Sequence, residues 1–585
     1  MTPSSLLGYT VPEVNLFMSK KWTSNQKAWL IGIGMATALW LFVACFADVY
    51  FPTNDDKFLL RTFTGESPDG VPSFHIIIHG MYVYPLMWLN RLVPDFAWIS
   101  VLEIVLMWLS TAVILKSMIL CFERDERAHS LLYGCFAAIC YALMFLFYLC
   151  ARPTFSTITA TLGAAAAAHI LSMNSVEKTD GQIYRSMLFG LLLVVLGYGL
   201  REEVLLPALG FCGIAFLYQF VSFFGWGKNQ RRSIRPLLCV ALTVVLAAGG
   251  LVFGRQAEIR LRGQQEYYDW HMARSNVMDF LTIDELSEES TEAVGWTRTQ
   301  TALLDAWYTM EEDFSTEAFT YISSQEENQQ TRKTPGASLW DFRTRAPLIF
   351  LSIIILFVIG VGCLAGLALK RKGLWVFLTL MAAAAGFFAM FVWLAIQGRL
   401  LYRVVMIPLL PAAALVFCLI PKCMPKQRWF TPLFCILLAA GTALYTIPTA
   451  QAVKHREVKW DYDTYEAMDQ IALDNPDLLF IYSQELVNDT RLFPDFSNGV
   501  PYNLMFWGGW QRGSPEYAAK LEAFGIDSEH FTPKDWLRPE LRYLTLEDEP
   551  HPLLVQHLTE QLGENLRWEQ IPMDIALKAY RFYCE

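Results

Sequence analysis

The chain has 585 residues, 54% of them hydrophobic and 17% charged, with a formal net charge of −10. Its positive mean hydropathy of +0.31 excludes an ordinary soluble globular domain. The acidic balance gives no nucleic-acid partner: the acids lie mainly in two long polar regions, and the bases cluster in short loops, which is a membrane-topology signal. Of the twelve cysteines most lie in or beside apolar runs; residues 255–346 have none and the C-terminal region only Cys584, so no disulfide framework is expected there.

After a cytoplasmic segment, 1–27, the first apolar run covers residues 28–47 and is close to bilayer length. Asp48 and bulky Tyr50-Phe51 follow it instead of a small-residue cleavage site, so it reads as a retained span. The loop 48–97 then carries Asp55-Asp56. Two adjacent carboxylates beside a bilayer are costly to desolvate, and a simple anchor has no use for them. An enzyme working at the membrane surface needs such a carboxylate as a base. The same loop holds a weaker run, 75–92, interrupted by His75, His79, Pro85, Asn90 and Arg91, which reads as a helix lying on the outer surface.

Runs at 98–121, 130–150, 153–172, 187–200, 204–224 and 236–254 complete a first membrane block, 28–254. Residues 255–346 are too long for a plain connection and alternate aromatic with acidic clusters, suiting a sugar-binding or membrane-interface surface. Within them, residues 313–317 look like a capped helix start. Four more runs, 347–369, 374–396, 404–420 and 429–448, form the second block, 347–449. The tail, 450–585, reads as a small α/β domain. Helices are expected at 463–472, 516–524 and 551–562, and strands at 478–482, 541–546, 566–572 and 579–583. Between them, residues 501–510 are strongly aromatic around a Gly-Gly turn. Asn488-Asp489-Thr490 fits a glycosylation sequon.

Basic loops at Lys20, Lys21 and Lys27, at 228–235, at 370–372 and at 422–428 should face the cytoplasm. A consistent alternation then needs eleven spans, with 75–92 not crossing. The N terminus is cytoplasmic and the C terminus extracellular. The competing count, in which 75–92 crosses and 187–200 does not, stays open.

Arg201, Arg399 and Arg403 sit at outer span ends and are candidate anion holders, since a guanidinium grips phosphate in a bidentate fork. Arg399 and Arg403 are four apart and would share a helix face. Snorkelling, or pairing with Glu202 or Glu203, is the competing role. His75 and His79, also four apart, can take a phosphate or a divalent cation, but a His pair lacks the ligands of a stable metal site, so no cofactor is assigned.

With these features the layout resembles the GT-C superfamily of polytopic glycosyltransferases, including its protein mannosyltransferase and aminoarabinose transferase branch. The resemblance is carried by Asp55-Asp56 after the first span, the His75/His79 stretch in the same loop, Arg152-Pro153 opening a span, Gly190 and Gly197 leading to Arg201, and a closing outer domain. It covers residues 28–250. Asp-Asp replaces the family's more usual Asp-Glu, and its Pro-Pro after the first loop is absent. The resemblance implies an α-helical polytopic membrane enzyme that is inverting and uses a polyprenyl-phosphate-linked sugar donor. It implies that Asp55 or Asp56 activates the acceptor, and it leaves a glycan, lipid or protein acceptor open. The whole chain is also similar to a group of multispanning bacterial proteins, mostly from Gram-positive anaerobes, that carry segments like 54–56, 274–279 and 506–510; that similarity brings no activity with it. A transporter or flippase of lipid-linked sugars, and a non-catalytic surface-assembly protein, are the alternatives. Few charges within the runs, Glu103 being the main one, speak against the first. The second leaves the acidic pair and the arginines unexplained.

Overall fold

A computed structural model describes residues 23–70, 76–124, 129–173, 179–224, 235–370, 373–425, 427–454, 459–486, 490–572 and 577–585. Among them, eleven helices are long and apolar enough to cross a membrane. In chain order the first part comprises α1 Ser24–Phe46, β1 Tyr50–Phe51, α2 Asn54–Thr64, α3 Gly80–Leu92, α4 Trp98–Glu123, α5 Ser130–Ala151, α6 Phe155–Ser172, α7 Asp180–Leu200, α8 Leu205–Phe224 and α9 Arg235–Leu261. The central region adds α10 Gln265–Met278, α11 Glu288–Ala293, α12 Arg298–Asp305, α13 Thr316–Ser324, α14 Glu326–Gln330 and α15 Pro335–Arg345. Four long helices follow, α16 Pro347–Lys370, α17 Leu374–Ile396, α18 Tyr402–Cys423 and α19 Phe430–Lys454.

Two helices, α6 and α18, are almost wholly buried and form the bundle's axis. The sequence of α6 explains its place. Gly163 and Ala164 to Ala168 have almost no side chain, so neighbouring backbones come close. Gly163 shows this: a Cβ there would lie 3.2 Å from Ala208 of α8. At the periphery the apolar faces turn outward; Leu238, Leu242, Val245, Leu246 and Phe253 of α9 are all exposed. Apolar side chains exposed along a whole helix suit lipid as solvent.

The short run 187–200 is the end of a full-length helix. Its first turns, Asp180 to Arg185, are polar but helical, with Gln182 accepting from the Thr179 backbone N–H. Run length therefore understated the element. By contrast α3 has only 13 residues and is not among the eleven.

The C-terminal part holds α20 Lys459–Asp474, β2 Leu479–Tyr482, β3 Thr490–Arg491, β4 Leu504–Phe506, α21 Pro515–Ala523, β5 Leu541–Thr545, α22 Pro552–Leu562, β6 Leu566–Ile571 and β7 Lys578–Cys584. Five strands form one sheet in the order β4-β2-β5-β7-β6. The first three are parallel and β7 runs antiparallel to both its neighbours. Two pairings escape the sequence. β4 lies inside the aromatic segment that reads as a loop. The remaining two strands pair across the whole chain: β1, directly before the acidic pair, is antiparallel to β3, with Tyr50 opposite Arg491 and Phe51 opposite Thr490. Of the sequon residues, Asn488 and Asp489 lie outside the described residues.

Candidate functional site

Thr53 caps α2, so Asp55 and Asp56 fall in its first turn, where the helix dipole favours negative charge. One residue apart on a helix, the two carboxylates point in different directions. Asp56 turns inward. Its Oδ1 accepts a 2.8 Å hydrogen bond from the Phe155 backbone N–H, the first residue of α6, and its Oδ2 accepts from the Thr53 hydroxyl. The side chain is only 2% exposed, which corrects the expectation of two loop carboxylates near water. Burial pushes Asp56 up to about 7, helped by the charge of Asp55 and opposed by the Thr53 and Phe155 hydrogen bonds and by Arg403.

Asp55 stays partly accessible. Its Oδ2 lies 2.7 Å from Arg403 Nη1, and its Oδ1 accepts a 2.9 Å bond from the indole N–H of Trp510. Trp510 belongs to the C-terminal domain, and its ring packs edge-on against Phe58 of α2.

Arg399 and Arg403 do not share a helix face, contrary to the spacing argument. Gly398 takes a left-handed φ of 73°, Arg399 lies in the turn, and α18 begins only at Tyr402. Both still reach the same neighbourhood by separate routes. Arg399 Nη2 pairs with Asp279 at 3.1 Å, and its guanidinium sits 5.0 Å from the Phe280 ring centre. Asp279 also accepts from the Ser275 hydroxyl at 2.5 Å. Burial works to raise Asp279, but Arg399 and then Arg274 outweigh it and hold the carboxyl below its ordinary range. Arg274, buried on α10, lies 5.6 Å from the Trp307 ring and interacts electrostatically with Asp279, Asp55 and Arg399. One turn earlier, burial and then Arg274 push His271 down to about 4, so its imidazole is neutral at physiological pH.

Arg201 ends α7. It pairs with Glu203 at 3.2 Å, donates to the Ser156 hydroxyl and lies 5.5 Å from the Phe155 ring. It thus meets the N-terminal turn of α6, the same turn whose first N–H holds Asp56. The pairing with Glu203 is the competing role named above, and here both contacts coexist. Four guanidiniums, Arg201, Arg274, Arg399 and Arg403, therefore gather with Asp55, Asp279 and Glu203 beside the buried Asp56.

The histidines are placed elsewhere. His75 lies outside the described residues. His79 is not on a helix face but is the extended N-cap of α3, its Nδ1 accepting from the Met81 N–H at 3.1 Å. Its Nε2 faces Glu258 at 3.8 Å, within a cluster that includes Arg255 and Arg262. Burial, aided by these arginines, outweighs Glu258 and lowers His79. Among the described residues no group of three or more His, Cys, Asp or Glu is arranged to hold a metal. Arg152 serves the entry to the loop: it donates to the Asp48 carbonyl and stacks 3.6 Å from the Tyr50 ring centre.

The C-terminal domain grips α2 along its length. Arg61 bonds Glu66 at 2.6 Å and Asp469 of α20 at 2.7 Å. Lys520 of α21 reaches Glu66 at 3.1 Å and Glu516 at 3.4 Å. The Lys57 ammonium lies 5.4 Å from the Tyr482 ring, and burial lowers it far below the usual lysine range. Trp510, Arg274 and Asp279 were not selected from the sequence as site residues. The signal was present as two segments, 274–279 and 506–510, whose spacing carried no chemistry until the fold brought them to Asp55 and Arg399. The chain matches no family model, no curated protein and no solved structure.

Proposed function

We propose that the chain is a GT-C-type membrane glycosyltransferase that moves a sugar from a polyprenyl-phosphate donor to an acceptor hydroxyl on the outer face of the membrane. The carrying observation is the meeting of a partly exposed carboxylate, Asp55, with a guanidinium cluster at one end of the helix bundle. Asp55 is the base. Asp56 is buried and accepts the Phe155 N–H, so it holds α2 onto α6 rather than meeting the acceptor. In the reaction, Asp55 takes the proton of the acceptor hydroxyl. The freed oxygen attacks the anomeric carbon from the face opposite the lipid phosphate, and the carbon–oxygen bond to that phosphate breaks with inversion. The leaving polyprenyl phosphate keeps the bond pair, and its charge is met by Arg403, Arg399 and Arg201, whose cluster holds more guanidiniums than ionised carboxylates. Fixed guanidiniums cost no reorganisation as that charge develops.

This reading places the acidic pair, the central region and the C-terminal domain outside, and the N terminus in the cytoplasm, as the basic loops require. The donor and the outward orientation rest on the resemblance and on these loops. The test is transfer of labelled sugar from polyprenyl-phosphate donors by purified protein in lipid. Asp55→Asn should reduce turnover on the order of 100-fold or more. Full activity in that variant removes Asp55 as the base. Wild-type protein that moves such lipids between leaflets without transferring sugar is a transporter instead.

A further inference from the structure

The helix α12 ends in a turn that its sequence does not favour. The Trp307 N–H donates to the Leu304 carbonyl at 2.9 Å and the Tyr308 N–H to the Leu303 carbonyl at 3.0 Å, which closes the helix with Trp307 in the left-handed region, φ 66°. Glycine is the usual occupant of that position, because a side chain there crowds the backbone. Among the described residues three others than glycine have a positive φ, and Trp307 is bulkier than Asp95 or His129. The conformation is held from outside the helix. The Gly509 N–H donates to the Trp307 carbonyl at 3.1 Å, and the Thr309 N–H to the Trp507 carbonyl at 3.4 Å. This contact needs Gly508, where a Cβ would lie 2.5 Å from the Thr309 nitrogen.

The strained turn presents its ring at the site. Tyr308, Phe506, Trp507 and Trp510 around it are all buried, whereas Trp307 is partly exposed. Its ring centre lies 5.6 Å from the Arg274 guanidinium, which interacts electrostatically with Asp55, Asp279 and Arg399. Gly509, bonded to the Trp307 carbonyl, is followed by Trp510, which bonds Asp55. An indole held in this way, at a cost that glycine would avoid, points to a use for the side chain itself.

We infer that Trp307 is the platform for the sugar ring of a saccharide phosphate, and that it makes the site prefer such a ligand to a bare phosphate. One face of a pyranose is a set of C–H groups with slight positive charge, which suits the electron-rich face of an indole. Arg399 and Arg403, partly exposed in the same cluster, supply the counter-charge for the phosphate attached to that ring. A ligand whose apolar ring face is joined directly to an anion matches an aromatic ring set beside guanidiniums. A neutral glycan or a free phosphate would use only part of that arrangement. That the ligand is the donor rests on the glycosyl-transfer reading; the joint grip on ring and phosphate does not.

The test is saturation-transfer NMR on the full chain in phosphatidylcholine nanodiscs with no acceptor present. The probes are the 1-phosphates of glucose, mannose and N-acetylglucosamine, with methyl phosphate as the bare anion and uridine monophosphate as an aromatic one. At least one sugar phosphate should bind saturably and about fivefold more tightly than methyl phosphate. Trp307→Gly, which suits the left-handed turn, should bring that sugar phosphate down to the affinity of methyl phosphate and leave methyl phosphate itself unchanged. Trp307→Phe keeps an aromatic face and should retain most of the preference. A purely structural role would move both probes together. The proposal is overturned by an unchanged preference in Trp307→Gly, by equal weakening of both probes, by tighter binding of uridine monophosphate than of any sugar phosphate, or by no saturable binding of a sugar phosphate. Because binding is read without transfer, a chain that proves inactive in transfer leaves a positive result standing. A chain that transfers sugar without the Trp307 preference loses only the platform.

Discussion

Asp56→Asn should stabilise the protein, and increasingly so as pH rises. Asp56 has an ordinary value of 3.8 when unfolded and is pushed up to about 7 in the fold, chiefly by burial. The folded state therefore binds the proton more tightly than the unfolded one. Its contribution to stability is fully present below about pH 4 and is lost as pH rises through about 7. At about 1.4 kcal/mol per pH unit, the full loss is on the order of 4 kcal/mol by pH 8. Asparagine carries no charge to bury, and its carbonyl can still accept from the Phe155 N–H. The change forfeits about 1 kcal/mol because that bond is no longer charge-assisted. The variant should gain about 3 kcal/mol at pH 8 and less than about 1 kcal/mol at pH 5. Thermal unfolding in detergent across pH 4.5 to 8.5, an interval spanning about four pH units around the transition, reads this as a melting-point difference that grows with pH. A difference independent of pH, or a variant less stable at pH 8, refutes the burial argument.

Trp510→Phe keeps the ring against Phe58 but removes the N–H that Asp55 accepts; sugar transfer should fall about tenfold with stability changed by less than about 1 kcal/mol, read from initial rates and melting together. Arg61→Met leaves Glu66 and Asp469 without their shared guanidinium and should cost about 3 kcal/mol, seen as a lower melting point and faster protease cleavage between the helix bundle and the C-terminal domain. With Cys45, Cys239 and Cys584 replaced by Ser, cysteines at Asp69 and Pro94 should both react with an impermeant thiol reagent added from outside; reaction at the first alone means that the α3 segment crosses.

The helices long and apolar enough to cross a membrane were legible because length and apolarity are both local properties of the chain. Among the described residues eleven helices meet both criteria, and the 13-residue α3 does not. Most of the C-terminal domain was legible too, with element ends shifted by a few residues. The site was legible only in pieces. Asp55, Asp56, Arg201, Arg399 and Arg403 could be named because charge at the end of an apolar run is conspicuous. What each touches could not be named. Arg399 meets Asp279, and Asp55 meets Trp510, across long stretches of chain with no spacing rule to connect them. The two-residue pairing of β1 with β3 has no local signature at all. The helix-face argument for Arg399 and Arg403 failed because the left-handed Gly398 keeps Arg399 in the turn after α17, while Arg403 lies on α18, which begins at Tyr402.

The separation between Asp55 and Trp510, 455 positions along the chain, sets a biosynthetic order. Asp55 leaves the ribosome 455 residues before Trp510. Until then β1 has no partner strand, Arg61 lacks Asp469, and Glu66 lacks Lys520. The nascent chain can insert all eleven helices and still have an unfinished first loop. A chain cut before the C-terminal domain keeps its eleven apolar helices but leaves Asp55 without the Trp510 N–H, β1 without its partner strand and Arg61 without Asp469.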